Sequence, residues 1–389
     1  MRQNGEYYLF NIAYCMVNIK KMGSFYGVEI SKCLMYNWFI IKNSLMRKNM
    51  AYYYNQLSKI EQKAYYAMKE GLLNMAPSFT VPLLDGKTLS DIYFMVRMDH
   101  PEIFWSVKFS YKYYKDSDHA EMIPEYLFKK NQIMEHRTAM ESRVKKLARQ
   151  AEKLSEKEKE LFIHDFICQN VRYDKLKKAY SHEIIGPLGQ GVGVCEGIAK
   201  SVKILCDALG VWCIIALCDN NPEKGIKYRH MWNVVRIEGK YYHLDATFDN
   251  SLSSEEIIRY DYFNLSDSQI FKDHEPAIYK LPVCADADHT YYREKKLSWT
   301  KYEDVRKRAA QAVKKGKVLI FHWRGGYLTR EVLKELFEIF REEAAKKEKH
   351  AYLSLNWPQA VLQIRFAEES AAEEIIMQEA NEGENYEEE

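Results

Sequence analysis

Gly193-Val194-Cys195-Glu196-Gly197-Ile198-Ala199-Lys200 decides how the rest of this chain is read. The cysteine follows a loop rich in glycine (Gly186, Gly189, Gly191, Gly193). It heads a stretch with apolar residues at Ile198, Val202, Leu205 and Leu209, the three- and four-residue steps of a helix. Gly210 is placed to stop that helix. A thiol at a helix start lies where the dipole favours a thiolate and where unpaired N–H groups can hold an oxyanion. The Cys195 N–H is the natural first donor, and Gln190 is the candidate second.

Downstream, Arg229-His230-Met231-Trp232-Asn233-Val234-Val235 and Tyr242-His243-Leu244-Asp245-Ala246-Thr247-Phe248-Asp249 read as two strands, His230 to Ile237 and Tyr241 to Phe248, joined through Glu238-Gly239. With that turn, Ile237 pairs with Lys240, Trp232 faces Asp245 and His230 faces Thr247. Alternation then puts His230, Trp232, Tyr241, His243, Asp245 and Thr247 on a polar face. Met231, Val235, Ile237, Tyr242, Leu244, Ala246 and Phe248 form the core face. His230 and Asp245 become diagonal neighbours, within reach for the carboxylate to hold one imidazole nitrogen while the other meets a thiol. His243 is the rival base, and Asp249 the rival acid. Trp232, beside His230, is the candidate substrate-binding residue. Singly these residues are ordinary; the ordered set of Cys195, His230 and Asp245 points to nucleophile, base and orienting acid.

The 389 residues suit several domains, and 47% hydrophobic with 29% charged residues is the balance of a packed protein. A formal net charge of +2 offers no argument for nucleic acid or a membrane surface. No apolar run reaches membrane-spanning length. Leu9 to Ile19 lacks a small-residue cleavage site and is read as structural, or as lying ahead of a start at Met50. A cytoplasmic protein is the expectation, with a secreted or cell-surface one as the alternative. Eight cysteines lack CxxC spacing. Cys206, Cys213 and Cys218 lie in apolar text and read as buried thiols rather than metal ligands.

We divide the chain into 1–49, an apolar and basic extension; 50–150, a helical and strand-bearing leader; 151–282, the core; 283–367, a small α/β module; and 368–389, an acidic tail expected to be disordered. In the leader, Pro77 and Pro82 bound the first helix region. Ile103 to Tyr114 reads as a strand with a partner near Glu125 to Lys129. Ser155 with Glu158 is a capping box for the helix carrying Phe162 and Phe166.

Four motifs in order carry a resemblance: Val194-Cys195-Glu196-Gly197, His230-Met231-Trp232-Asn233, Tyr242-His243-Leu244-Asp245-Ala246-Thr247 and Tyr260-Asp261-Tyr262-Phe263-Asn264-Leu265. Upstream, Ile163-His164-Asp165-Phe166 with Val171-Arg172-Tyr173-Asp174 looks like the helix preceding such a core. Residues 155–270 resemble the transglutaminase-like superfamily, in particular its bacterial cysteine protease branch. The resemblance implies an α+β, papain-like core with Cys195 as nucleophile, His230 as base and Asp245 as orienting acid. Met231 and Ile198 depart from the usual pattern, where a small and an aromatic residue stand.

The expected function is thiol-dependent acyl transfer on an amide of a peptide or protein substrate, most simply hydrolysis. Amine transfer by a transglutaminase is the alternative, as is a non-catalytic peptide-binding scaffold. No EF-hand calcium pattern is present, so no cofactor or metal is expected.

Overall fold

Ser58 opens the first helix of the described structure: its side chain accepts from Glu61 N while Glu61 reaches back to the Ser58 N–H. The computed structural model describes residues 51–224, 226 and 229–368. The expected extension 1–49 and the tail beyond Glu368 lie outside the described residues. The chain divides into Met1–Gln56 and Leu57–Glu389. In the first unit the described residues form a single turn, Tyr54–Gln56.

Helix α1 (Lys59–Leu73) buries Ala64, Tyr65, Met68 and Leu72, one face at helical spacing. Between Pro77 and Pro82, Thr80 and Val81 belong to a short strand, β1 (Phe79–Pro82), not anticipated from two prolines. Helix α2 (Gly86–Asp99) is capped by Asp85, which accepts from Thr88 N. Strands β2 (Ser106–Tyr113) and β3 (His119–Tyr126) complete an antiparallel sheet of order β1-β3-β2. The partner of β2 thus starts earlier than the expected 125–129, because the chain reverses tightly at Asp116, whose φ is +60°. The long polar helix α3 (Lys130–Ala151) follows.

The central region begins with α4 (Glu156–Asn170), closed by the Ser155–Glu158 capping box. Strand β4 (Arg172–Tyr173) pairs with β5 (Val192–Gly193), and α5 (Cys195–Leu209) starts at the cysteine. Gly210 ends it at φ +74°, a conformation that costs other residues a steric penalty. Strands β6 (Trp212–Cys218), β7 (His230–Ile237), β8 (Lys240–Leu244) and β9 (Phe263–Leu265) form an antiparallel sheet in that order. Helix α5 packs on one face, where Asn233 Nδ2 donates to Ala199 O at 3.0 Å. A helix against an antiparallel sheet gives the α+β, papain-like core.

The hairpin register runs from Ile237↔Lys240 to Asn233↔Leu244, as the turn predicts. Two expectations need correction. Strand β8 stops at Leu244, and Ala246–Leu252 form helix α6, so the pairs Trp232–Asp245 and His230–Thr247 do not form. The reason is local: the Asp245 carboxylate caps α6, accepting from Thr247 N and Phe248 N. The second is the polar face, which is not open to solvent. Trp232, His243 and Asp245 are each at most 1% exposed, because the segment leading from α7 (Asp267–Ile270) to His274 lies over them.

Beyond it, β10 (Ser298–Trp299), α8 (Tyr302–Lys315), β11 (Leu319–Trp323), α9 (Arg330–Ala345), β12 (His350–Asn356) and β13 (Val361–Ala367) build a module with sheet order β10-β11-β13-β12. Its own core holds Trp299, Phe321, Leu336, Phe340 and Ile364. Buried charge joins the regions. Arg259 pairs with Asp261 at 2.7 Å, and Asn356 of the module donates to the same carboxylate at 3.0 Å. On the opposite flank, Arg97 of α2 pairs with Glu183 and with Glu196, the latter at 3.0 Å. Lys200 meets both carboxylates at 2.8 Å. Two cations and two anions, all nearly enclosed, tie α2 to the first turns of α5. A buried cluster of this kind tolerates loss of a single partner badly.

Candidate active site

The site assembles where α5, β7 and α6 begin. The approach to Cys195 is fixed by backbone: Asp174 N donates to Gly193 O at 3.0 Å and Val194 N to Ser181 O at 3.1 Å. Ser181 passes so close that a Cβ on Gly197 would lie 2.1 Å from its carbonyl oxygen, so only glycine fits there. The first N–H groups of α5 have no partner within the helix, and Cys195, which opens it, is partly exposed.

His230 is the first residue of β7, paired with Cys218 of β6. Its Nε2 lies 2.6 Å from Asp245 Oδ2, and the Cys195 thiol is near enough to the ring to raise its pKa. Phe248 packs against the ring at 4.8 Å, and Trp232 lies nearly parallel to it at 6.0 Å. Asp245 is fully buried with both oxygens engaged. Oδ1 accepts from Thr247 N and Phe248 N, and Oδ2 from His230 and from His274 Nε2 at 2.9 Å. Burial works to raise its pKa, but His230 and His274 outweigh that and hold it well below the carboxylate range. For His230, burial opposes the charge, while Asp245 and Cys195 oppose burial more strongly and lift the ring well above the imidazole range.

The rivals have other duties. Trp232 Nε1–H donates to His243 Nδ1 at 2.9 Å; an indole only donates, so the proton of a neutral His243 is on Nε2, which meets Asp267 Oδ1 at 2.8 Å. Burial lowers the pKa of His243. Asp249 accepts from Tyr262 N and lies 3.0 Å from His164 Nε2, one helical turn beyond Asp245. Trp232, the expected substrate-binding residue, is 1% exposed, donates its N–H to His243 and lies beside the His230 ring. Gln190 is exposed at the end of the Ile185–Gln190 turn. Among the described residues no hydrogen bond joins it to Cys195, His230 or Asp245.

The sequence reading did not single out His274, although it touches Asp245. It lies 29 residues further on, outside any periodic element, and only its placement beside Asp273 in polar text marks it. Among the described residues two sets bring ligand-type atoms within 4.8 Å: His230, Asp245, His274 and His243, Asp267, Cys284. In the second, the Trp232 donor keeps the ring proton on the nitrogen that would have to bind a cation, the reverse of what a ligating histidine needs. In the first, the shared carboxylate oxygen is already taken up by two imidazole contacts.

Residues 144–246 match the family model of the transglutaminase-like superfamily. Solved structures similar to the chain include one described as a TGase (13% identity, 36% of this chain, 44% of that chain, TM-score 0.24). Another is "a Putative Cysteine Protease" from Cytophaga hutchinsonii (16%, 36% and 62%, TM-score 0.21). A third is "a Putative Protease" from Parabacteroides distasonis (15%, 36% and 35%, TM-score 0.22). The chain thus spans less than two thirds of each of these. No curated protein matches it significantly.

Proposed function

We propose that this chain, whose residues 144–246 form a transglutaminase-like core, is a cysteine-dependent enzyme that cleaves amide bonds of a peptide or protein through a thioester. The observation that carries the proposal is His230, held 2.6 Å from the buried Asp245 carboxylate, with the Cys195 thiol near enough to raise its pKa. In the reaction the Cys195 proton passes to His230, whose charged form Asp245 stabilises. The sulfur adds to the amide carbonyl. The oxyanion lies against the first N–H groups of α5, that of Cys195 foremost, with Gln190 as the candidate side-chain donor. His230 then returns the proton to the departing amine, and the C–N bond breaks to leave an acyl-thioester. Water, deprotonated by the same ring, adds to the thioester and releases acid and thiol.

The test is alkylation by limiting iodoacetamide near neutral pH, with the adduct located by mass spectrometry. Selective labelling of Cys195 that falls at least ~10-fold in His230→Ala is expected. Labelling spread evenly over the accessible cysteines would sink the proposal. A peptide-library screen with and without added primary amine then separates hydrolysis from transfer.

A further inference from the structure

Asp245 Oδ2 is shared. His230 Nε2 reaches it at 2.6 Å and His274 Nε2 at 2.9 Å. The other nitrogen of His274 meets Asp273 Oδ1 at 2.8 Å. The ring is buried among Phe248 at 4.7 Å, Trp232 at 5.2 Å and Tyr262 at 5.6 Å. Both ring nitrogens therefore face carboxylate oxygens, which accept only, so the ring serves as a donor. Asp273 is held in turn: the Tyr262 hydroxyl donates to it at 2.6 Å, and Gln359 of the C-terminal module donates to Gln269 O at 3.2 Å beside it.

We infer that His274 is a positioning residue of the proposed catalytic site: by donating to the oxygen His230 also uses, it divides the Asp245 charge between two rings and limits how firmly His230 is held in its charged form. The inference rests on the proposed function. Asp245 does not need His274 as a tether, because its other oxygen caps α6 through Thr247 N and Phe248 N. Removing the ring therefore has a definite sign. With one competitor gone, the whole carboxylate acts on His230, which then loses its proton at higher pH. Loss of a tether would loosen the pair and move that step to lower pH. The titratable groups facing this cluster are Cys195 from α5, Cys218 from β6, His230 from β7, His243 and Asp245 from β8 and its end, Tyr262 ahead of β9, and Asp273 beside His274.

The experiment is the pH dependence of Cys195 alkylation by iodoacetamide in the full chain, for wild type, His274→Phe and His274→Gln. The phenylalanine fills the space and donates nothing; the glutamine amide can still donate. The upper inflection of the rate, set by His230, is expected to move up by about one pH unit in His274→Phe, with His274→Gln between it and wild type. An inflection that stays or moves down in His274→Phe overturns the inference. If that variant does not fold, His274→Leu, which also donates nothing, is read in its place, and an inflection that stays or moves down there overturns it equally. Unselective labelling in wild type would take down the catalytic reading and this inference with it; selective labelling with an unmoved inflection removes only the role of His274.

Discussion

The short helix α6 carries two aspartates one turn apart, and each meets a histidine near a cysteine; the two groups have opposite chemistry. In the first, Asp245 takes Nε2 of His230, and the Cys195 thiol is near enough to the ring to raise its pKa. In the second, Cys168 Sγ at 3.6 Å and Asp249 Oδ2 at 3.0 Å compete for the same nitrogen of His164, while Asp165 takes the other at 3.2 Å. Cys195 opens its helix, at the positive end of the dipole; Cys168 lies in the last turn of α4, at the negative end. His230 keeps some exposure, whereas His164 is enclosed, stacked on Tyr260 at 4.9 Å and edge-on to Phe263 at 5.2 Å. The carboxylates diverge likewise. Asp245, with four donors, is held well below the ordinary range, and burial pushes Asp249 up to about 7. The same three residue types make the proposed catalytic group in one place and an enclosed polar cluster in the other. The end of the helix that holds the thiol and the enclosure of the ring are what separate them.

The largest effect expected is on turnover and on labelling. Cys195→Ser should abolish peptide cleavage, while Cys168→Ser should leave it within about twofold, since mutations that disturb only local packing act mainly on stability. Equal losses in both variants, read by the same cleavage assay, would erase the distinction. Next comes the acid. Asp245→Asn should lower the turnover rate by roughly 10²–10⁴-fold, because the amide neither stabilises a charged His230 nor enforces its orientation. Asp249→Asn should leave turnover within about tenfold; a loss matching that of Asp245→Asn would show that the second group also serves the reaction.

The smallest effects lie in stability against pH, where the two aspartates should have opposite signs. The Asp245 pKa is lowered in the fold, so its stabilisation is present above its unfolded value of 3.8 and is lost as pH falls through the folded value. The Asp249 pKa is raised, so the unfolded chain releases that proton first and the fold loses stability as pH climbs from about 4 towards 7. Urea unfolding of Asp249→Asn should show that loss removed, a gain of about 2–3 kcal/mol at pH 7.5 relative to pH 4.5. Asp245→Asn should instead be destabilised by about the same amount at both pH values, because the Asp245 contribution is already complete above 3.8. Parallel slopes for the two variants would mean that the aspartates share one environment after all.

Much of this site was legible beforehand for local reasons. Helical spacing after Cys195, the stop at Gly210 and the Ser155–Glu158 box each depend on residues within a turn or two. The Glu238-Gly239 turn set the β7–β8 register over its full length. The end of β8 was also written locally, in an aspartate standing as a cap before Ala246; it was overridden by the alternation that continues through Phe248. Alternation tells which residues share a face, not whether another layer covers it, so it does not show that the segment ending at His274 closes over Trp232 and His243.

The order and identity of Cys195, His230 and Asp245, the helix that presents the thiol and the hairpin that presents the base follow from residue pattern, because caps, turns and periodicity act over a few bonds. The pairing of each ring nitrogen with its oxygen does not. Asp245 meets His274 across 29 residues, and Asp249 meets His164 across 85. Proton placement depends on contacts of about 3 Å and on exclusion of water, and those exist only once α6, the β6–β9 sheet and the 267–274 segment have packed together.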